Sequence, residues 1–204
     1  CPTFLNQVIM TTIIFVHPWL GSFNKAILDT VIKKLQAQNK TYQLIDLNKD
    51  NFDPVLRESD LILYSQGKSS DPLVGKYQEM LKNTTKLIFI FPIWWYDVPA
   101  ILKGFIDKVM LKGFAYEESA TGLRGKLHHI NQTTVISTSE SPTWYLKLFA
   151  RNPIENNFIK NTLKAIGLKN VKWLNSSQTK SGTDRQRGRF LKSVENQLEG
   201  ICVH

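Results

Sequence analysis

The sequence predicts an α/β protein: an open, doubly wound, five-stranded parallel sheet with helices on both faces. Two observations predict it. Residues 11–16, 41–47, 87–91, 133–137 and 171–174 are short β-branched or apolar runs of strand length. Between them lie stretches whose apolar residues recur at helical spacing, and such alternation argues a parallel sheet. With 204 residues and 42% hydrophobic content, the chain can bury a sizeable core.

In chain order, the first strand is ended by His17 and Pro18. The loop Trp19-Leu20-Gly21-Ser22-Phe23-Asn24 follows, in which Ser22 can cap a helix. Ala26, Ile27, Val31 and Leu35 mark one face of that helix. Tyr42, Leu44, Ile45 and Leu47 mark the second strand, and residues 48–54 are polar and turn-rich. Residues 60–64 are a short apolar run whose type the pattern does not decide. Leu73, Val74, Tyr77, Met80 and Leu81 predict a helix over 72–81. Residues 87–91 are a buried strand stopped by Pro92, and Pro99 opens a helix through Leu111 from its first helical position. Gly113, Gly122 and Gly125 mark a long excursion over 113–131. The strand at 133–137 runs into a loop over 138–145. A helix over 153–166 is stopped by Gly167. After the strand at 171–174, Phe190, Leu191, Val194 and Leu198 share one face of a terminal helix.

Composition narrows the function. The net charge is +9, with basic residues gathered late, at Lys160, Lys164, Lys169, Lys172, Lys180, Arg185, Arg187, Arg189 and Lys192. A solvated basic face is the plain reading; an anionic cofactor or a nucleic acid is the sharper one. There is no zinc motif and no aromatic–basic repeat, so nucleic acid is not the expected partner. No apolar run approaches the ~20 residues of a membrane span. Residues 1–16 hold no Lys or Arg and so lack the charged region of a secretory signal. Residues 1–10 are expected to be a poorly ordered leader, and 11–204 a single domain. Cys1 and Cys202 have no metal-ligand spacing and fit a reducing cytoplasm. His128 and His129 are adjacent with no matching carboxylate cluster, so no metal is expected. A Gly-x-Ser-x-Gly elbow for hydrolysis is absent.

Three predicted strand ends carry chemistry. After the first, Ser22 and the free amides of a helix N-terminus, with Gly21 for close approach and His17 as a donor, suit a phosphate. After the central strand come Trp94, Trp95 and Tyr96, three rings that either seal the core or wall a flat ligand. After the fourth, Thr138, Ser139, Glu140 and Ser141 let backbone donors face a ligand, with Trp144 and Tyr145 behind. In an open parallel sheet these ends gather at one edge. A flat, phosphorylated ring cofactor fits the set, and a flavin is the economical candidate.

The run Phe91-Pro92-Ile93-Trp94-Trp95-Tyr96-Asp97-Val98-Pro99-Ala100-Ile101-Leu102-Lys103-Gly104 closely resembles the signature of the NAD(P)H:quinone reductases, the DT-diaphorase-like flavoproteins of flavodoxin-like fold. His17 with Ser22-Phe23-Asn24 resembles their cofactor-phosphate loop, and Gly113-Phe114-Ala115-Tyr116 their segment after the central helix. The resemblance implies a cytoplasmic enzyme that passes a hydride from NAD(P)H through flavin to a quinone or similar electrophilic acceptor. It implies that Pro92, Ile93, Trp94, Trp95 and Tyr96 line the flavin ring. His17, Ser22, Phe23 and Asn24 would bind phosphates, Thr138, Ser139 and Glu140 would border the ring's polar edge, and Tyr145 would be catalytic. FAD is favoured over FMN because the Ser22-Phe23-Asn24 loop and the Asp53-Pro54 turn resemble those of FAD-using members, and a homodimer with a shared site is expected. The chain departs from the family at Glu140 and Ser141, where glycines are usual, and at Arg151, in the region of an expected histidine. The rival readings are a flavodoxin-like electron carrier, disfavoured by the +9 charge, and a regulatory subunit of a transport system.

Overall fold

The computed structural model describes residues 9–120 and 122–199. The strands are β1 (Thr11–Phe15), β2 (Tyr42–Asp46), β3 (Lys86–Pro92), β4 (Tyr116–Ser119), β5 (Gly122–Gly125), β6 (Gln132–Thr138) and β7 (Val171–Ser176). The helices are α1 (Phe23–Ala37), α2 (Glu58–Tyr64), α3 (Pro72–Lys82), α4 (Ala100–Val109), α5 (Thr143–Leu148) and α6 (Asp184–Glu199), with a π-helix over Ile154–Leu163. Five strands form an all-parallel sheet in the order β2-β1-β3-β6-β7. The chain lays β2 on one side of β1 and β3 on the other, so the winding reverses there. The crevice beyond the carboxyl ends of β1 and β3 is the switch point where such sheets bind ligands.

Alternation along the strands divides the core into two layers. Ile13 and Phe15 of β1 join Ile88 and Ile90 of β3 against Ile27, Val31 and Leu35 of α1 and Val194 of α6. Ile14 and Val16 face the other way, with Phe89 and Phe91, against Tyr77 of α3, Phe105 of α4 and Phe158 of the π-helix. Helices therefore cover both faces, as the near-continuous apolar strands require.

Several elements depart from expectation for local reasons. Residues 60–64 belong to α2, whose start is fixed by Asp60 Oδ2 accepting from the Arg57 N–H at 2.9 Å. Pro99 is the N-cap of α4 rather than its first residue, and the helix ends at Val109, before Leu111, because Met110 leaves helical geometry (ψ 59°). The excursion over 113–131 contains the antiparallel hairpin β4–β5, fastened by Lys112–Glu118 (2.6 Å) and Lys126–Glu117 (2.7 Å). The loop over 138–145 gives way to α5 at Thr143. The expected α-helix over 153–166 winds as a π-helix for most of its length. Its buried residues Ile154, Phe158, Ile159 and Leu163 recur at the wider period, and Thr162 Oγ1 bonds the Asn157 carbonyl five residues back. Gly167, at φ 98°, stops it as expected. The expected leader lies outside the described residues through position 8, as do both cysteines.

Candidate active site

The first wall of the crevice is the β1–α1 loop. Ser22 is the N-cap of α1, extended at φ −78° and ψ 157°, and its Oγ accepts from the Lys25 N–H at 3.2 Å. The amides of Phe23 and Asn24 stand in the first turn, where no intrahelical acceptor exists and the helix dipole is positive. A Cβ on Gly21 would lie 2.5 Å from the Trp19 indole, so the glycine lets that ring lie against the loop. His17 Nδ1 accepts from the Trp19 N–H at 3.1 Å, which leaves Nε2 as the protonated nitrogen. Burial lowers the imidazole pKa from its ordinary value.

Asn24 joins this wall to the sheet. Its side chain is buried, Nδ2 donates to Thr138 Oγ1 at 2.8 Å, and Oδ1 has no partner. The Thr138 carbonyl in turn accepts from the Ile93 N–H at 2.7 Å. One chain of bonds thus links the ends of β6 and β3 to the start of α1. Around it opens a cleft of about 860 Å³, lined by His17, Ser22, Phe23, Asn24, Pro92, Ile93, Trp94, Thr138, Ser139 and Glu140 among others. Ten of the thirteen residues singled out in the sequence come together here.

Trp95, Tyr96 and Tyr145 do not line it. Trp94 to Asp97 form a tight turn closed by Trp94 N–H to Asp97 O (3.1 Å) and Asp97 N–H to Trp94 O (3.0 Å). Its two central residues, Trp95 (φ 50°) and Tyr96 (φ 64°), are both left-handed although neither is glycine. Such strain in bulky residues is a mark of functional loops. The turn faces Trp94 into the cleft, 6.0 Å from the His17 ring, and leaves Trp95 95% exposed. Tyr145 sits on α5, stacked on Phe149 at 5.8 Å and 17°, with Trp144 edge-on to both.

At the β6 end, Ser139 spends its donors internally: its N–H goes to Ser176 O (2.8 Å) and its Oγ to Ser141 O (2.8 Å). Thr138 keeps its hydroxyl proton to donate. The Glu140 carboxylate turns to the β7–α6 loop, accepting from the Lys180 N–H (2.9 Å), the Ser181 N–H (3.3 Å) and Ser181 Oγ (2.8 Å). The Lys180 backbone bond above all, then the Ser181 hydroxyl, hold its carboxyl below the usual range. That loop supplies Thr179 and Lys180, and α6 supplies Arg187, lining residues that the sequence marked at most as part of a basic cluster and not as site residues. The signal for them was available: residues 177–183 also follow a parallel strand's carboxyl end and are rich in turn-forming residues. The Asp53-Pro54 turn lies elsewhere, with Asp53 O bonded to the buried Lys108 Nζ at 3.0 Å.

The family model described as flavodoxin-like fold (Flavodoxin_2) matches residues 10–198, and the chain belongs to this family. NAD(P)H dehydrogenase [quinone] 1 of Cavia porcellus is 29% identical over 150 residues, covering 65% of this chain and 54% of its own. The chain thus spans about half the length of the curated relatives it matches first. The crystal structure of Smu.1420 from Streptococcus mutans UA159 is 30% identical with a TM-score of 0.81, covering 94% of this chain and 100% of its own. The NAD(P)H:quinone oxidoreductase of Methanothermobacter marburgensis is 25% identical with a TM-score of 0.84, covering 95% and 99%. No helix among the described residues is long and apolar enough to cross a membrane.

Proposed function

We propose that this chain is a flavin-dependent NAD(P)H oxidoreductase that delivers a hydride equivalent to a quinone or similar electrophilic acceptor. The observation that carries this reading is the single cleft in which an amide cradle, a donor strand end and an aromatic turn meet. The residues fit a flavin. The free amides of Phe23 and Asn24 suit its phosphate, and the unpaired Asn24 Oδ1 marks a polar partner that the chain does not supply. Ile93 and Trp94 offer an apolar edge for a flat ring. A bound flavin supplies the two-electron redox chemistry.

The chain's own residues hold, orient and exclude water. Ser22 fixes the first turn of α1 so that its amides are aimed before anything binds. Asn24 and Thr138 lock that turn to the sheet, so the cradle and the Pro92–Trp94 edge keep a fixed spacing. His17, neutral at pH 7 with its proton on Nε2, donates a hydrogen bond rather than a charge. Tyr145 is assigned the catalytic place on the acceptor's side, in a site completed by a second copy. The exposed rings Trp95, Trp144 and Phe149 support that homodimer. FAD is favoured over FMN, since Lys180 lines the same cleft and its ammonium suits a second phosphate. The low cysteine content supports a cytoplasmic location. The reading calls for neither a metal nor a nucleic acid.

The test is direct. Purified protein incubated with FAD or FMN should turn yellow, and chromatography of the released pigment should identify the form it retains. The loaded protein should oxidise NADH or NADPH rapidly with a soluble quinone. A protein that stays colourless with both flavins overturns the proposal. A yellow protein without turnover on any acceptor favours the electron-carrier reading instead.

A further inference from the structure

The β7–α6 loop has few apolar anchors, yet it forms part of the cleft wall. Polar bonds hold it from two sides. From α6, Arg187 Nη1 donates to the carbonyls of Thr179 (3.1 Å) and Gly182 (2.8 Å). From the β6 end, the Ser139 carbonyl accepts from the Thr179 N–H (3.2 Å) and Thr179 Oγ1 (3.1 Å). Beside it, Glu140 receives the two successive amides and the hydroxyl of Lys180 and Ser181. Both carboxylate oxygens are used, and all three donors lie on the neighbouring loop. A residue without a side-chain acceptor at 140 would leave these three donors unmet.

We propose that Glu140 is a positioning residue: its carboxylate clasps the Lys180–Ser181 backbone and so fixes Thr179 and Lys180 as one wall of the cofactor cleft. The clasp acts through the loop and touches no reacting atom. It holds the lysine beside the cleft through its backbone amide rather than through its side chain. Arg187, committed to the loop's carbonyls, braces the same segment. The loop is set before the ligand arrives, which lowers the ordering cost of binding. This assignment rests on reading the cleft as a flavin site.

The experiment compares native protein, Glu140→Gln, Ser181→Ala and the double variant, each as the full chain. Two quantities are read: the rate of flavin release, followed as recovery of free-flavin fluorescence, and amide hydrogen exchange over residues 179–182 in flavin-free protein. Glu140→Gln should release flavin about tenfold faster, as expected for losing charge-assisted bonds. It should also speed exchange at Lys180 and Ser181 while leaving exchange in the β1 and β3 amides unchanged. Ser181→Ala should speed release about threefold, as for losing one of the three bonds to the carboxylate, and should add little in the Glu140→Gln background. Faster exchange with unchanged flavin release would reduce Glu140 to a surface loop cap and overturn the assignment. Unchanged exchange would overturn the clasp itself. Native protein that takes up no flavin removes the functional reading and this assignment with it. Native protein that binds flavin, with Glu140→Gln binding it equally well, removes the assignment alone.

Discussion

The cradle of the cleft and the exposed aromatic residues of the β3–α4 turn and α5 are finished to different degrees. At the cradle end, Ser22, Asn24 and Thr138 are all buried, and each side chain has a partner within the chain. At the aromatic end, Trp95 is almost wholly exposed, Trp144 and Phe149 are 58% and 68% exposed, and Trp95 and Tyr96 occupy left-handed backbone. The cradle is built by folding alone, so its residues should contribute to stability and binding together. The aromatic end carries large apolar surface that folding leaves uncovered, so its residues should matter to association but little to monomer stability.

Asn24→Leu attacks the finished end and should have the largest effect. It removes the bond to Thr138 and leaves that hydroxyl buried without its donor, a loss of about 2 kcal/mol. Urea unfolding measures this. Flavin affinity should fall by more than about tenfold, because the first turn of α1 loses its tie to the sheet. A variant of native stability and native affinity would show that the cradle is not a built wall.

The same contrast explains what could be read from the sequence. Strands were legible because Ile13, Ile14, Phe89 and Phe91 are buried on both sides, which forces continuous apolar runs. The cradle was legible because capping chemistry is local: Ser22, Phe23 and Asn24 are consecutive. The Asn24–Thr138 bond was not, since it joins positions 114 apart and no spacing rule connects them. The β4–β5 hairpin escaped because its residues are mostly exposed and carry no alternation. Glu140 was visible as a departure, but its direction was not. Only the β7–α6 loop folding beside it shows that the carboxylate turns toward Lys180 and Ser181.

At the open end, Phe149→Glu places a charge in the exposed aromatic cluster of α5. The monomer fold should be nearly unaffected, within about 0.5 kcal/mol as for other surface changes. Sedimentation should shift from dimer toward monomer, and quinone turnover should fall with it. A dimer of unchanged affinity would remove this face from the interface. Trp95→Ala should have a smaller effect: a shift toward monomer smaller than that of Phe149→Glu, with the thermal midpoint of flavin-free protein unchanged. Destabilised flavin-free protein would mean that the turn supports the fold after all.

The smallest effect belongs to His17, at the junction of the two ends between the Trp19 backbone and the Trp94 ring. Burial lowers its pKa in the folded state below the ordinary 6.5. The fold therefore favours neutral imidazole. The stability linked to this preference is fully present above pH 6.5 and declines as pH falls from there through the lowered folded value. His17→Gln keeps a side chain that can accept at one atom and donate at another, but it cannot titrate. Stability measured by urea at several pH values should therefore fall less steeply below pH 6.5 in the variant than in native protein. Flavin affinity of the variant at pH 7 should remain within about threefold of native, since the native imidazole contributes a neutral hydrogen bond there. If native affinity instead rises on acidification and the variant's does not, the imidazole meets the phosphate as a cation, and the cradle is less finished than its geometry indicates.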